Sequence, residues 1–140
     1  MTSHVTVTTP RQRLDAAVAR IPGYGTSPVT WLLQANDGHW GTADWYRDVI
    51  WISPRVPSGR VYDVVVHEWS HVKSVRDYGG DVNLAVSEMN RYFGGSGLIG
   101  AERAADCMAR LDGARWTHYT SCADSRWRAG AAQLLAGRRL

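Results

Sequence analysis

Lysine is almost missing from this chain: of 16 basic residues in 140, Lys73 alone is not arginine. The arginines are scattered from Arg11 to Arg139 and, against 13 acids, leave a formal charge of +3. That pattern excludes a polybasic tail and offers no basic run of the kind that grips nucleic acid. Long apolar stretches are missing too. No run approaches the ~20 residues needed to cross a bilayer, and the opening MTSHVTVTTPRQR lacks the apolar core of an export signal. The chain therefore reads as soluble, with no membrane span and no nucleic-acid partner. Cysteine is limited to Cys107 and Cys122, which form no CxxC metal motif. Their spacing fits a disulfide closing a short loop, worth ~3 kcal/mol by loop entropy; the alternative is two reduced, buried thiols. Compartment follows that choice: cytoplasmic by the lack of an export signal, extracytoplasmic if the two cysteines pair. Phenylalanine occurs once, yet seven Trp and six Tyr supply a large amphipathic aromatic set that suits an open groove as well as a core.

The length is that of one domain, residues 1–140. Thr9-Pro10 reads as an N-cap followed by proline at the first helical position, with Leu14, Ala17, Val18 and Ile21 at helical spacing. Residues 10–20 are thus expected to form a helix. From Pro28 to Pro54 the texture becomes β-branched and aromatic, broken at Asn36-Asp37-Gly38 and Arg47-Asp48, which predicts strands near 28–34, 39–46 and 48–53 in an antiparallel meander. A long helix is expected after Pro57-Ser58, carrying the apolar stripe Val61, Val64, Val65, Trp69, Val72 and Val75 until Gly79-Gly80. Asp81 can cap a further helix to Phe93, which Gly94–Gly97 breaks, as a plain linker or a flap. Another helix is predicted over 100–114, and Ser121-x-x-Asp124 resembles a capping box opening a last helix through Leu135. The expected fold is α+β: a small antiparallel sheet of about three strands packed against the long helix, with a mainly helical C-terminal half.

Inside the long helix stands His67-Glu68-Trp69-Ser70-His71, an HExxH motif. Histidines four apart lie on one helix face, so both imidazoles can bind a single Zn²⁺, with Glu68 placed as general base toward the water-filled position. Chance order of this composition gives the motif in about 0.4% of chains. Two histidines and a water leave room for a third protein ligand, and the candidates are Asp77, Asp81, Glu88, Glu102, Asp106 and His118. Glu102 and Asp106 lie four apart on a later helix, so one can reach the metal while the other holds the outer nitrogen of a ligand histidine. Ala104 and Ala105 between them would let that helix come close.

His67-Glu68-x-x-His71 followed by Glu102-x-x-Ala105-Asp106 resembles the gluzincin clan of zinc metallopeptidases. The size is similar to the compact minigluzincins, and the stretch from Ala105 to Cys122 resembles bacterial neutral zinc metallopeptidases. The resemblance covers roughly residues 38–122. It implies one catalytic zinc on His67, His71 and Glu102, water on that zinc activated by Glu68, Asp106 orienting a histidine, and a peptidase acting on a peptide or protein substrate; the chain is expected to be a monomer and, as a reader of extended backbone, an endopeptidase. It also implies substrate laid in extended form along Trp40–Trp45, with Gly41, Thr42 and Ala43 at its centre. His118, and next Tyr119, are the expected hydrogen-bond donors to the developing oxyanion, on a loop that a Cys107–Cys122 bond would tie down, with Tyr92 third. The chain departs from the clan in an extra helix between His71 and Glu102 and in lacking an Asn before Glu102. A metzincin-like reading would take Asp77 as third ligand, although Ser74 stands where that pattern has glycine. The other alternative is a catalytically silent, zinc-stabilised binding or regulatory module.

Overall fold

The computed structural model describes residues 8–35 and 37–140. Residues 1–7, part of the opening read for an export signal, and Asn36 of the first turn lie outside the described residues. Helix α1 (Pro10–Arg20) starts as its sequence predicts: Thr9 accepts from the Gln12 N–H, the Gln12 side chain returns to the Thr9 N–H, and Pro10 occupies the first turn. Three strands follow, β1 (Thr30–Leu33), β2 (Gly41–Asp44) and β3 (Val49–Ile52). Four helices complete the chain: α2 (Val61–Asp77), α3 (Val82–Phe93), α4 (Ile99–Leu111) and α5 (Ser125–Leu135). The architecture is α+β, as expected, with a three-stranded sheet against α2 and a helical second half.

The sheet differs from the expected meander. Its order is β1-β3-β2, with β1 parallel to β3 and β2 antiparallel to it. The β2–β3 hairpin closes tightly because the Asp44 carboxylate accepts from the N–H groups of Tyr46 and Arg47, and Asp48 adopts a positive φ of 56°. The longer β1–β2 connection instead carries the chain past β3. The most apolar strand, Val49-Ile50-Trp51-Ile52, therefore takes the centre, and β2 is left at an edge.

Helix α2 is buried nearly all round. Val65, Val66, Trp69 and Val72 pack with Leu14, Ala17 and Ile21 of α1 and Ile50 and Ile52 of β3. Trp69 also donates its indole N–H to the Ser27 carbonyl at 2.9 Å, which satisfies the polar handle of a core aromatic. A second cluster joins Val75 to α3, α4 and α5 through Met89, Phe93, Ala104, Met108, Ala131 and Leu134. Small residues set the spacing there. A Cβ on Gly100 would lie 2.4 Å from the Asn90 backbone nitrogen, and one on Gly130 would lie 2.3 Å from the Tyr92 ring. Asn90 donates to the Gly97 carbonyl and accepts from the Gly100 N–H, so the Gly94–Gly97 connection is pinned at its end. The last helix is capped by Asp124, whose side chain accepts from the Arg126 and Trp127 N–H groups, rather than by the expected box at Ser121. Among the described residues no helix is long and apolar enough to cross a membrane.

Asp112, at the C-terminal end of α4, has a carboxylate oxygen that is buried without a hydrogen-bond partner among the described residues. Burial pushes its carboxyl up to about 6 from the ordinary 3.8. The folded chain thus holds that proton more tightly than the unfolded one. Stability from this group is complete below the unfolded value and is lost as pH rises through about 6. Asp112→Asn should therefore flatten the stability profile between about pH 4 and 7 and raise stability above it. Thermal midpoints of both proteins across that range check this; parallel profiles would contradict it.

Candidate metal centre

The 3.6-residue repeat places Asp63, His67 and His71 in one row of α2, with Glu68 beside them. Helix α4 packs against α2, and its Ala101, Ala104 and Ala105 are almost fully buried. This approach brings Glu102 between the two histidines: its Oε1 lies 2.7 Å from His71 Nε2 and its Oε2 lies 3.5 Å from His67 Nε2. One ligand atom from each of His67, His71 and Glu102 falls within 4.8 Å of the others, a group that could hold a metal ion.

One turn along α4, Asp106 is fully buried, and its Oδ1 lies 2.7 Å from His67 Nδ1. Its Oδ2 accepts from the backbone N–H groups of Tyr119 and Thr120, at 2.6 and 3.0 Å. With Nδ1 occupied in this way, His67 turns Nε2 toward Glu102 and His71. The segment that supplies those N–H groups is tied to α4 by the Cys107–Cys122 disulfide. Asp77 stands apart from this group. Its Oδ1 is 2.6 Å from Lys73 Nζ, which also donates to the Leu134 carbonyl on α5, so it does not join His67 and His71 as the metzincin-like reading required. Among the described residues, Asp81 caps α3 and no metal group includes Glu88 or His118.

The titratable groups here are set by one another. Burial disfavours the charged His67 ring, but its hydrogen bonds to Asp106 and Glu102, and the charge of Glu68, outweigh that and raise it to about 10. Burial would likewise raise Glu102, yet the bonds from His67 and His71 hold its carboxyl well below the usual carboxylate range. A proton on His67 thus compensates the carboxylates, and a divalent ion would displace it, as metal binding to histidine releases protons. Two imidazole nitrogens and one carboxylate form the donor set of open catalytic zinc sites. The residues present fit such an ion.

Two clefts meet at this group. The first, of about 490 Å³, is walled by Trp40, Trp116, His118 and Tyr119; the second, of about 870 Å³, runs along β2 and past Trp45 and Leu98. His39, Gly41, Glu68, Glu102 and Tyr119 line both. Gly41 has to be glycine here, since a Cβ would come 2.9 Å from both Glu68 Cγ and Val64 Cγ1. Burial raises the Glu68 carboxyl, against the opposing charges of His67 and His71. The Tyr119 ring lies near-parallel to that of His67, 6.3 Å away, and its hydroxyl is pushed up to about 12 by burial and the charge of Glu102. His118 is exposed and lines the first cleft alone. Tyr92 points elsewhere, donating to the Arg126 carbonyl. Trp45 stacks on His71 at 4.8 Å, and Trp40 tilts against Trp116 at 5.8 Å. Sequence reasoning missed His39, Asp63 and Trp116 as cleft residues. The helical repeat from His67 back to Asp63 was a usable signal; the other two sit on loops that carry no period.

Removing the Asp106 carboxylate should weaken zinc binding by roughly 10- to 100-fold, because His67 loses the partner that fixes its ring. Titration of Asp106→Ala with zinc against a competing chelator measures this, and an unchanged affinity would reduce Asp106 to an anchor for the Tyr119 loop. No family model, curated protein or solved structure matches the chain.

Proposed function

We propose that this chain is a zinc-dependent endopeptidase. The observation that carries this reading is the place of Glu68, which lines both clefts where they meet beside the His67, His71 and Glu102 group and whose carboxyl is raised by burial. His67, His71 and Glu102 would hold the ion, with Asp106 orienting His67. Bound there, zinc supplies Lewis-acid polarisation of a carbonyl and lowers the pKa of water. Glu68 accepts a proton from the attacking water at its carboxylate and delivers it to the departing amine. Water oxygen joins the carbonyl carbon, the C–N bond breaks, and the amine leaves with the proton that Glu68 carried. A raised carboxyl suits a group that must hold that proton between the two steps.

Tyr119 is the better-placed donor to the carbonyl oxygen as it gains charge, because its hydroxyl stays protonated and it lines both clefts. His118, favoured by sequence, reaches the first cleft alone. Strand β2 pairs on one side with β3, and its other edge, at Gly41, Thr42 and Ala43, offers main-chain hydrogen bonds to an extended substrate. Such a site reads backbone before side chains. Long unfolded peptides should be cut and dipeptides cut far more slowly, as mass spectrometry of new chain ends would record. A zinc-loaded protein that leaves unfolded polypeptides intact overturns the reading, and equal cleavage of dipeptides removes the strand edge from it.

A further inference from the structure

A third concavity, of about 590 Å³, lies between α1, the Ser58–Arg60 turn and the Gly113–Arg115 segment. Four arginines from separate stretches line it: Arg13 and Arg20 of α1, Arg60 just ahead of α2, and Arg115 after α4. Among the described residues Asp63 is the one acid that lines it. That carboxylate is already engaged, accepting from the Arg115 N–H at 2.9 Å and lying 3.5 Å from Arg60 Nη1. Four arginines thus line this concavity with a single acid.

Gathering like charges costs energy, and the fold holds these in place instead of spreading them. Arg20 lies over the Tyr62 ring, 4.0 Å from its centroid, and Arg60 over Trp116 at 5.3 Å. Arg13 donates through Nη1 to the Thr8 carbonyl and hydroxyl, while its Nε is buried with no hydrogen-bond partner among the described residues. Arg115 bonds through its backbone, N–H to Asp63 and carbonyl from Arg110, which leaves its guanidinium donors for another partner. Guanidinium groups present paired N–H donors that match carboxylate and phosphate oxygens.

The groove adjoins the metal cleft. Asp63 lines both, and Trp116, under Arg60, is a wall of the first cleft. A polypeptide leaving the metal centre past Trp116 therefore runs toward the arginines. We propose that this groove binds an anionic side chain of the substrate, acidic or phosphorylated, beyond the Trp116 end of the metal cleft. The substrate role rests on the peptidase reading above; the affinity for an oxyanion does not.

Binding to zinc-loaded Glu68→Gln protein tests the groove without turnover. Three labelled peptides of one length serve as probes: one with consecutive glutamates, its glutamine counterpart and a phosphoserine counterpart. The two anionic peptides should bind about tenfold or more tighter than the neutral one at low salt, with the gap narrowing as salt rises. Arg20→Gln/Arg115→Gln should close the gap. Arg115→Gln alone, a side chain without hydrogen bonds among the described residues, should narrow it. Arg128→Gln/Arg138→Gln removes the same charge from exposed sites elsewhere and should preserve it. Equal binding of charged and neutral peptides, or an equal loss in the control, overturns the groove. Tighter binding of a single-stranded RNA of similar length overturns its assignment to a peptide. If acidic peptides bind through the arginines and the wild type cuts no peptide, the oxyanion groove stands and its substrate role falls.

Discussion

Glu68→Gln should keep its zinc and its fold while losing about 10²- to 10⁴-fold in the rate of peptide hydrolysis. The substitution preserves shape at a crowded position, where the Glu68 side chain packs so close to β2 that Gly41 has no room for a Cβ. What it removes is the ability to accept a proton. Glu68 lines both clefts, and burial raises its carboxyl, the direction that favours holding a proton between two transfers. Glu68 is absent from the group that could hold metal, so zinc content and kcat should separate cleanly. Paired measurements of both on the same preparations decide it. A glutamine variant that cuts peptides at the wild-type rate would end the general-base role.

Glu102→Ala should have the largest effect on metal binding, beyond the roughly 10- to 100-fold typical of partners outside the ligand set. Glu102 contacts both histidines and carries the negative charge at the centre of the group. Without it two imidazoles face one another, and one of the bonds that favour a proton on His67 is gone. Glu102→Gln should fall between, since its carbonyl oxygen can still ligate without the charge. Competition against a chelating dye yields both affinities. Undiminished zinc binding in the alanine variant would mean that another carboxylate serves, and Asp77, held by Lys73, is not placed to do so.

The metal group was legible in the sequence because its chemistry is written in helical periods. His67 and His71 share a face by spacing, Glu102 and Asp106 share another, and the alanines between the latter announce a close helix crossing. The cleft was less legible. Its walls come from His39 and Trp40, Asp63 and Trp116, stretches with no common period, and they meet through the packing of α2 against β2 and α4. Strand order was not legible at all. Strands of four residues show which side chains alternate, but not which neighbour each strand takes. The correction matters for function: β1 pairs parallel on the far side of β3, and this leaves the β2 edge beside the metal group unpaired by β1. The cap of α5 failed for a local reason, since Ser121 and Asp124 both fit a cap and the chain uses the second.

The most direct test of the account is a zinc titration of the metal-stripped protein, following cleavage of an unfolded peptide. Activity should rise in proportion to added zinc and level off at one ion per chain, with His67→Ala showing no rise over the same range. Full activity in the stripped protein, or none at one bound ion per chain, would contradict it.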